Sequence, residues 1–208
     1  MRSISTPSFT VTAWPSPARF ALALTVSLAL TLCAVWLWGT ALIERLIPVV
    51  GQLLGLIDDR FGILFLGVEH DWQDTVVRLR VNVIEPFVMG GQQVEALPEG
   101  WLEVTTTTGA VLQPLIIASA TGLALPGGLA ARLTSGALAT LLAFGFLLLD
   151  LPLTLHAYVW DMFIDHLEPD RFSPLMQWHQ FLHSGGRFGV ALLLGLGGWC
   201  SAGRLSRQ

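Results

Sequence analysis

The chain has 208 residues, 53% of them hydrophobic and 12% charged, against about 25% charged in an ordinary soluble domain. With a mean hydropathy of +0.63, the composition places it in a membrane and leaves room for only a small soluble part. All 11 basic residues are arginine and the net charge is −4, so no basic stripe is present to neutralise phosphates, and nucleic acid is not expected as a partner.

A spanning helix needs about 20 mostly apolar residues, and four segments supply candidates. Residues 1–19 form a tail, and residues 20–43, "FALALTVSLALTLCAVWLWGTALI", carry no charge. This apolar run exceeds the roughly 7–15 residues of a cleaved signal, and Trp36 and Trp38 lie at its far end, so it reads as a signal anchor. Leu32 stands before Cys33 where a lipoprotein would need a small residue. Cys33 and Cys200 lie in or beside apolar runs, where a thiol acts as a small hydrophobe, which argues against a disulfide framework.

Residues 44–109 change character. "ERLIPVVGQLLGLIDDRFG" has apolar residues at helical spacing interrupted by Pro48 and Gly51, and predicts a bent amphipathic helix lying along the membrane surface. In "DTVVRLRVNV", Val77, Leu79, Val81 and Val83 alternate with Arg78, Arg80 and Asn82, the pattern of a strand with one buried face. "ILFLGV", "QQVEAL" and "WLEVTTTT" are further strands, separated by the turn signals "MGGQ" and "PEG", for a β element of three or four strands. Roughly fifty residues is near the lower limit for a self-sustaining core, so the element is expected to pack on the membrane or a partner. Its sheet edge could accept a peptide strand; the plainer reading is a lid on the helices or an edge paired with another subunit. No GxSxG pattern or phosphate loop occurs.

Residues 110–129 are uncharged, and residues 133–158 hold one acid, Asp150. Residues 159–181 read as an outer loop or interfacial helix, 182–203 as the fourth span, and 204–208 as a tail. The inner segments hold Arg2, Arg19, Arg132, Arg204 and Arg207 and no acid. The acids collect outside, from Glu44 to Glu103 and at Asp161, Asp165, Glu168 and Asp170. Because positive loops stay in the cytoplasm, both termini are expected inside; a three-span alternative would strand Arg204 and Arg207 outside.

At 1.5 Å per residue Asp150 lies about 25 Å from Leu133, near the outer boundary of a core about 30 Å thick. His156, Tyr158 and Trp160 follow it, and Arg187 precedes the last apolar run at the same height, its stem able to reach toward the headgroups. Asp150, His156, Asp161, His183 and Arg187 therefore form an expected polar layer, in which Arg187 pairs with Asp150 or Asp161. Asp161 with Asp165 and His179 with His183 are each four apart, so each pair shares a helical face and could supply zinc ligands. "HQFLH" lacks the Glu of HExxH and no third His or Cys is placed, so these four are candidates only, and no metal, cofactor or catalytic residue is assigned. Ser184 beside His183 makes no triad, since sequence neighbours point apart. As the one acid inside a span, Asp150 would lie in the pathway of a small oligomeric transporter.

The order of parts resembles the exosortase H-associated membrane proteins of bacteria: an N-terminal span, a short outer β-rich segment, a Pro-containing start of the second span (compare "VLQPLIIASATGLALP"), and a third span ending in aromatic and acidic residues (compare "LPLTLHAYVWDMF"). The likeness runs from Arg19 to Arg204 and rests on layout. It implies an accessory role in the envelope without a reaction. The sortases themselves use Cys, Arg and His, and Cys33 and Cys200 lie at the wrong depth to join Arg187 and His183 in such a set.

The expectation is thus a mainly α membrane protein of the bacterial inner membrane, with four transmembrane helices and a small extracytoplasmic β-rich segment between the first two. Its function would be that of a non-enzymatic accessory or assembly component, with lipid and other membrane proteins or further copies as partners. The alternatives are a metal-dependent enzyme using Asp161, Asp165, His179 and His183, and the transporter subunit.

Overall fold

The computed structural model describes residues 16–169 and 171–205. Arg2, Asp170, Arg207 and most of both tails lie outside the described residues. In chain order the elements are α1 (Pro17–Ile57), β1 (Phe61–Asp71), β2 (Asp74–Val83), β3 (Phe87–Met89), β4 (Gln92–Val94), β5 (Leu102–Thr107), α2 (Thr108–Ala124), α3 (Leu129–Leu167), α4 (Pro174–Phe181), a π-turn (Leu182–Gly186) and α5 (Arg187–Leu205). The chain is mostly helical with a small sheet.

By length and composition two helices, α1 and α3, can cross a membrane. At 17 residues α2 is a shorter apolar helix. The 19 residues of α5 include an arginine near each end, Arg187 and Arg204, which lowers its mean hydropathy. These four helices pack together, α2 against α1, α3 and α5, and α3 against α5. Being apolar all round, α2 occupies the middle, with Val111, Leu112, Ala118, Ala120 and Ala124 buried. Thr107 starts it by accepting a hydrogen bond from the Ala110 amide.

Small residues let the helices approach closely. A Cβ on Gly198 of α5 would lie 2.6 Å from the Ala139 amide nitrogen of α3. Ala139, Ala143 and Ala191 are fully buried, while Leu30 of α1, Leu141 and Leu149 of α3 and Leu193 of α5 face outward.

Pro48 does not end α1, which continues through it to Ile57. One lost hydrogen bond is outweighed by the stripe Ile43, Leu46, Val50 and Leu54, which stays buried through the proline. Of the loop or interfacial helix expected from residue 159, the first part is helical and continuous with α3, which runs to Leu167 because Trp160, Phe163, Ile164 and Leu167 face the hydrophobic core. At about 1.5 Å per residue both helices are near 60 Å long, about twice the thickness of a bilayer core.

The sheet rests on these two long helices. Its order is β1-β2-β5, all antiparallel, with β3 and β4 as a separate hairpin. Val77, Leu79, Val81 and Val83 of β2 are buried. The other face carries a charge ladder: Arg78 meets Glu69 at 2.9 Å, Asp71 at 3.1 Å and also Glu103, and Arg80 meets Glu103 at 2.7 Å. The core of this short β element is completed by α1 and α3.

Replacing Gly198 by Leu overfills the α3–α5 contact and is expected to cost about 1–3 kcal/mol. Gly189→Ala, where an added Cβ meets nothing within 4 Å, should leave stability unchanged or slightly improved; thermal melting of the two variants in detergent compares them.

Candidate functional site

Polar residues gather in two places, on different sides of α3. The first is sealed from solvent. Asp150 and Arg187 are each 5% exposed, with Arg187 Nε 3.1 Å from Asp150 Oδ2. That contact is ionic, its angle too bent for a hydrogen bond. Thr154, one turn after Asp150, completes the group: its hydroxyl accepts from Arg187 Nη2 at 2.8 Å and donates to Asp150 Oδ1 at 3.3 Å. Arg187 therefore turns inward and does not reach for headgroups.

Local sequence sets that direction. Ser173 caps α4, accepting from the Met176 amide, and Pro174 begins the helix. The helix then opens at "HSGG", where Ser184 and Gly185 leave helical geometry and Gly185 takes φ +105°, a conformation open to glycine. Beyond this kink α5 resumes with Arg187 against α3.

Beside the pair lies a cleft of about 300 Å³ lined by Tyr158, Asp161, Met176, His179, Gln180, His183 and Ser184. His179 is 8% exposed, its ring 4.7 Å from Tyr158 and 5.7 Å from His183 between centroids. Its Nδ1 is buried without a hydrogen-bond partner. Burial, then the neighbouring His183 and Arg187, push the imidazole below its ordinary pKa, against the pull of Asp161 and Asp150. Burial, then Asp165, push the Asp161 carboxyl up, with His179 opposing. Chemically the cleft offers an imidazole that holds its proton less tightly, and a carboxyl that holds its proton more tightly, than usual.

The second place joins the two long helices. Asp58, after α1, accepts from Arg60 Nε at 2.8 Å, from Arg60 Nη2 at 2.9 Å and from the Arg60 amide at 3.1 Å. Trp160 Nε1 of α3 donates to Asp58 Oδ2 at 3.1 Å. Burial alone would raise the Asp58 pKa, but the hydrogen bonds and charge of Arg60 hold the carboxyl below the usual range. Arg60 lies over the Trp160 ring at 4.9 Å, and His156 Nε2 is 3.9 Å from Asp58 Oδ2.

The expected polar layer is thus divided. Asp150 and Arg187 meet, Asp161 and His183 line the adjoining cleft, and His156 faces the Asp58 centre. Six helical residues after Asp150, at about 100° each, point His156 away from the pair. Among the described residues no three His, Cys, Asp or Glu side chains are placed to hold a metal ion, so Asp161, Asp165, His179 and His183 do not assemble as a ligand set. Sequence reasoning missed Thr154, although its i,i+4 spacing from Asp150 was visible, and missed Asp58 with Trp160, 102 positions apart. Comparison with known proteins finds no matching family model, curated protein or solved structure.

Truncating Arg187 to Ala leaves Asp150 buried and unpaired, for an expected loss of about 3–5 kcal/mol in denaturant unfolding. His179 gives a pH dependence of defined sign. The unfolded chain binds the imidazole proton first, so stability is full above the ordinary pKa of 6.5 and falls as pH drops from there through the lower folded-state value. His179→Phe should flatten that slope in melting curves taken on both sides of 6.5.

Proposed function

We propose that this chain is a four-span protein of a bacterial inner membrane, both termini cytoplasmic, acting as a non-enzymatic accessory or assembly component of an envelope process. The observation that carries the reading is the placement of apolar side chains. Leu22, Leu30, Leu141, Leu149, Leu193 and Leu196 face outward from α1, α3 and α5 while alanine and glycine fill the interior. A water-soluble bundle would turn its large apolar residues in; a bundle in lipid gains from small residues inside and loses nothing by leucine outside.

In this reading the spans are the first half of α1, α2, the first half of α3, and α5 with its preceding turn. The inner segments carry arginine and no acid, whereas the outer ones carry nearly all the acids beside the remaining arginines, which supports this orientation. The polar side chains of the two centres are committed largely to one another, as suits a scaffold holding an outer module at fixed distance from the bilayer. Exposed Val88, Leu97 and Trp101 on that module offer a surface for another membrane protein or a second copy. Exosortase-linked sorting is the envelope process to which the resemblance points.

Fusions test the topology: a phosphatase inserted at Gly91 should be active outside the cytoplasm, and a fluorescent reporter after Gln208 should light inside. A phosphatase active after Gln208 contradicts the four-span reading. For the accessory role, crosslinked affinity isolation of the full chain from native membranes should recover a stoichiometric membrane partner or second copy, lost on Trp101→Asp with topology retained. Recovery of the chain alone in one copy contradicts it.

A further inference from the structure

We infer that the β1–β2 hairpin turns back to the bilayer and that Trp72 at its tip seats in the headgroup layer, level with Trp36 and Trp38 of α1. The inference rests on the membrane reading above and adds a second, non-helical contact with lipid. Trp72 is 100% exposed and takes φ +56°, an uncommon backbone for a bulky residue. The fold thus holds an indole in the open on a turn that glycine or asparagine would fill more easily.

Two heights, measured along different elements, agree. On the sheet, Val76 of β2 pairs with Thr107 of β5, and Thr107 is the cap from which α2 descends. Asp74 lies two residues further in the direction in which β5 runs into α2, about 7 Å at the strand rise, and Trp72 beyond that. On the helix, Gly39 of α1 abuts Leu112 of α2, which sets Trp38 about one turn below the start of α2. Independently, β1 descends along α1, with Leu66 against Gly51. The run from Leu66 to Asp71 covers about 17 Å, equal to about eleven helical residues, and reaches the level of α1 residue 40 or so.

Trp36 and Trp38 are 85% and 65% exposed, so three uncovered indoles share one depth. Tryptophan collects at the membrane–water boundary because its ring is apolar and its N–H polar. Glu69 and Asp71 next to the tip are paired with Arg78, and Asp74 adds a carboxylate, so the tip suits a zwitterionic surface better than an anionic one.

The test uses the full chain with Cys33 and Cys200 replaced by Ser and one new cysteine, from Trp72→Cys, Val88→Cys or Leu193→Cys. Each carries an environment-sensitive fluorophore in phosphatidylcholine bilayers containing nitroxide at the headgroup or deep in the acyl chain. The label at 72 should be quenched several-fold more by headgroup nitroxide than the label at 88, and less by deep nitroxide than the label at 193. Equal quenching at 72 and 88, with deep quenching at 193, overturns the hairpin contact while leaving the spans intact. Shielding of 72 from aqueous iodide without lipid quenching means a protein contact and also overturns it. Failure of deep nitroxide to reach 193 removes the membrane reading and this inference with it.

Discussion

Moving a guanidinium and a carboxylate out of water costs several kcal/mol for each ion. Asp150 and Arg187 offset that cost through each other and through Thr154, whose hydroxyl serves both. This requirement fixes how α5 lies on α3. With Arg187 one position after the glycine pair, the chain must kink for the guanidinium to point inward, and Gly185 supplies the kink. The cleft containing His179 and Asp161 is the space left where α4 meets α3 beside that kink.

Near the far ends of the long helices the same logic operates in wetter surroundings. Asp58, Arg60 and Trp160 tie the end of α1 to α3, and Phe61, Phe87 and Phe163 pack around the tie at centroid distances between 5.3 and 6.2 Å. The small sheet would be marginal alone, and it is stable here because two helices of about 40 residues extend past the bundle to support it. Glu168, accepting from the Gly90 amide and pairing with Arg171, fastens the β3–β4 hairpin to the end of α3. The sheet and the bundle therefore share their two longest elements.

What the sequence disclosed followed how local each signal was. The alternation of Val77, Leu79, Val81 and Val83 is a period-two pattern within one strand, and those residues are buried. Apolar runs marked α1 and α3 for the same reason. Pro48 and the aromatic-acidic run after residue 158 did not reveal how far α1 and α3 continue, because breaker and interface signals are local while the packing that extends these helices is not: the α1 stripe is held by elements distant in sequence, and Trp160 is held by Asp58. The site followed this division. Asp150 and Arg187 were visible as charges in apolar surroundings, whereas the separation of His156 from them needed helical phase as well as depth.

Asp150 and Arg187 form a coupled pair and not two independently tolerated charges. A double-mutant cycle with Asp150→Leu and Arg187→Met, unfolded in lipid nanodiscs, measures this directly. The expected interaction energy is about 2–3 kcal/mol, with the double variant more stable than either single one. Losses that add to within about 0.5 kcal/mol would contradict it.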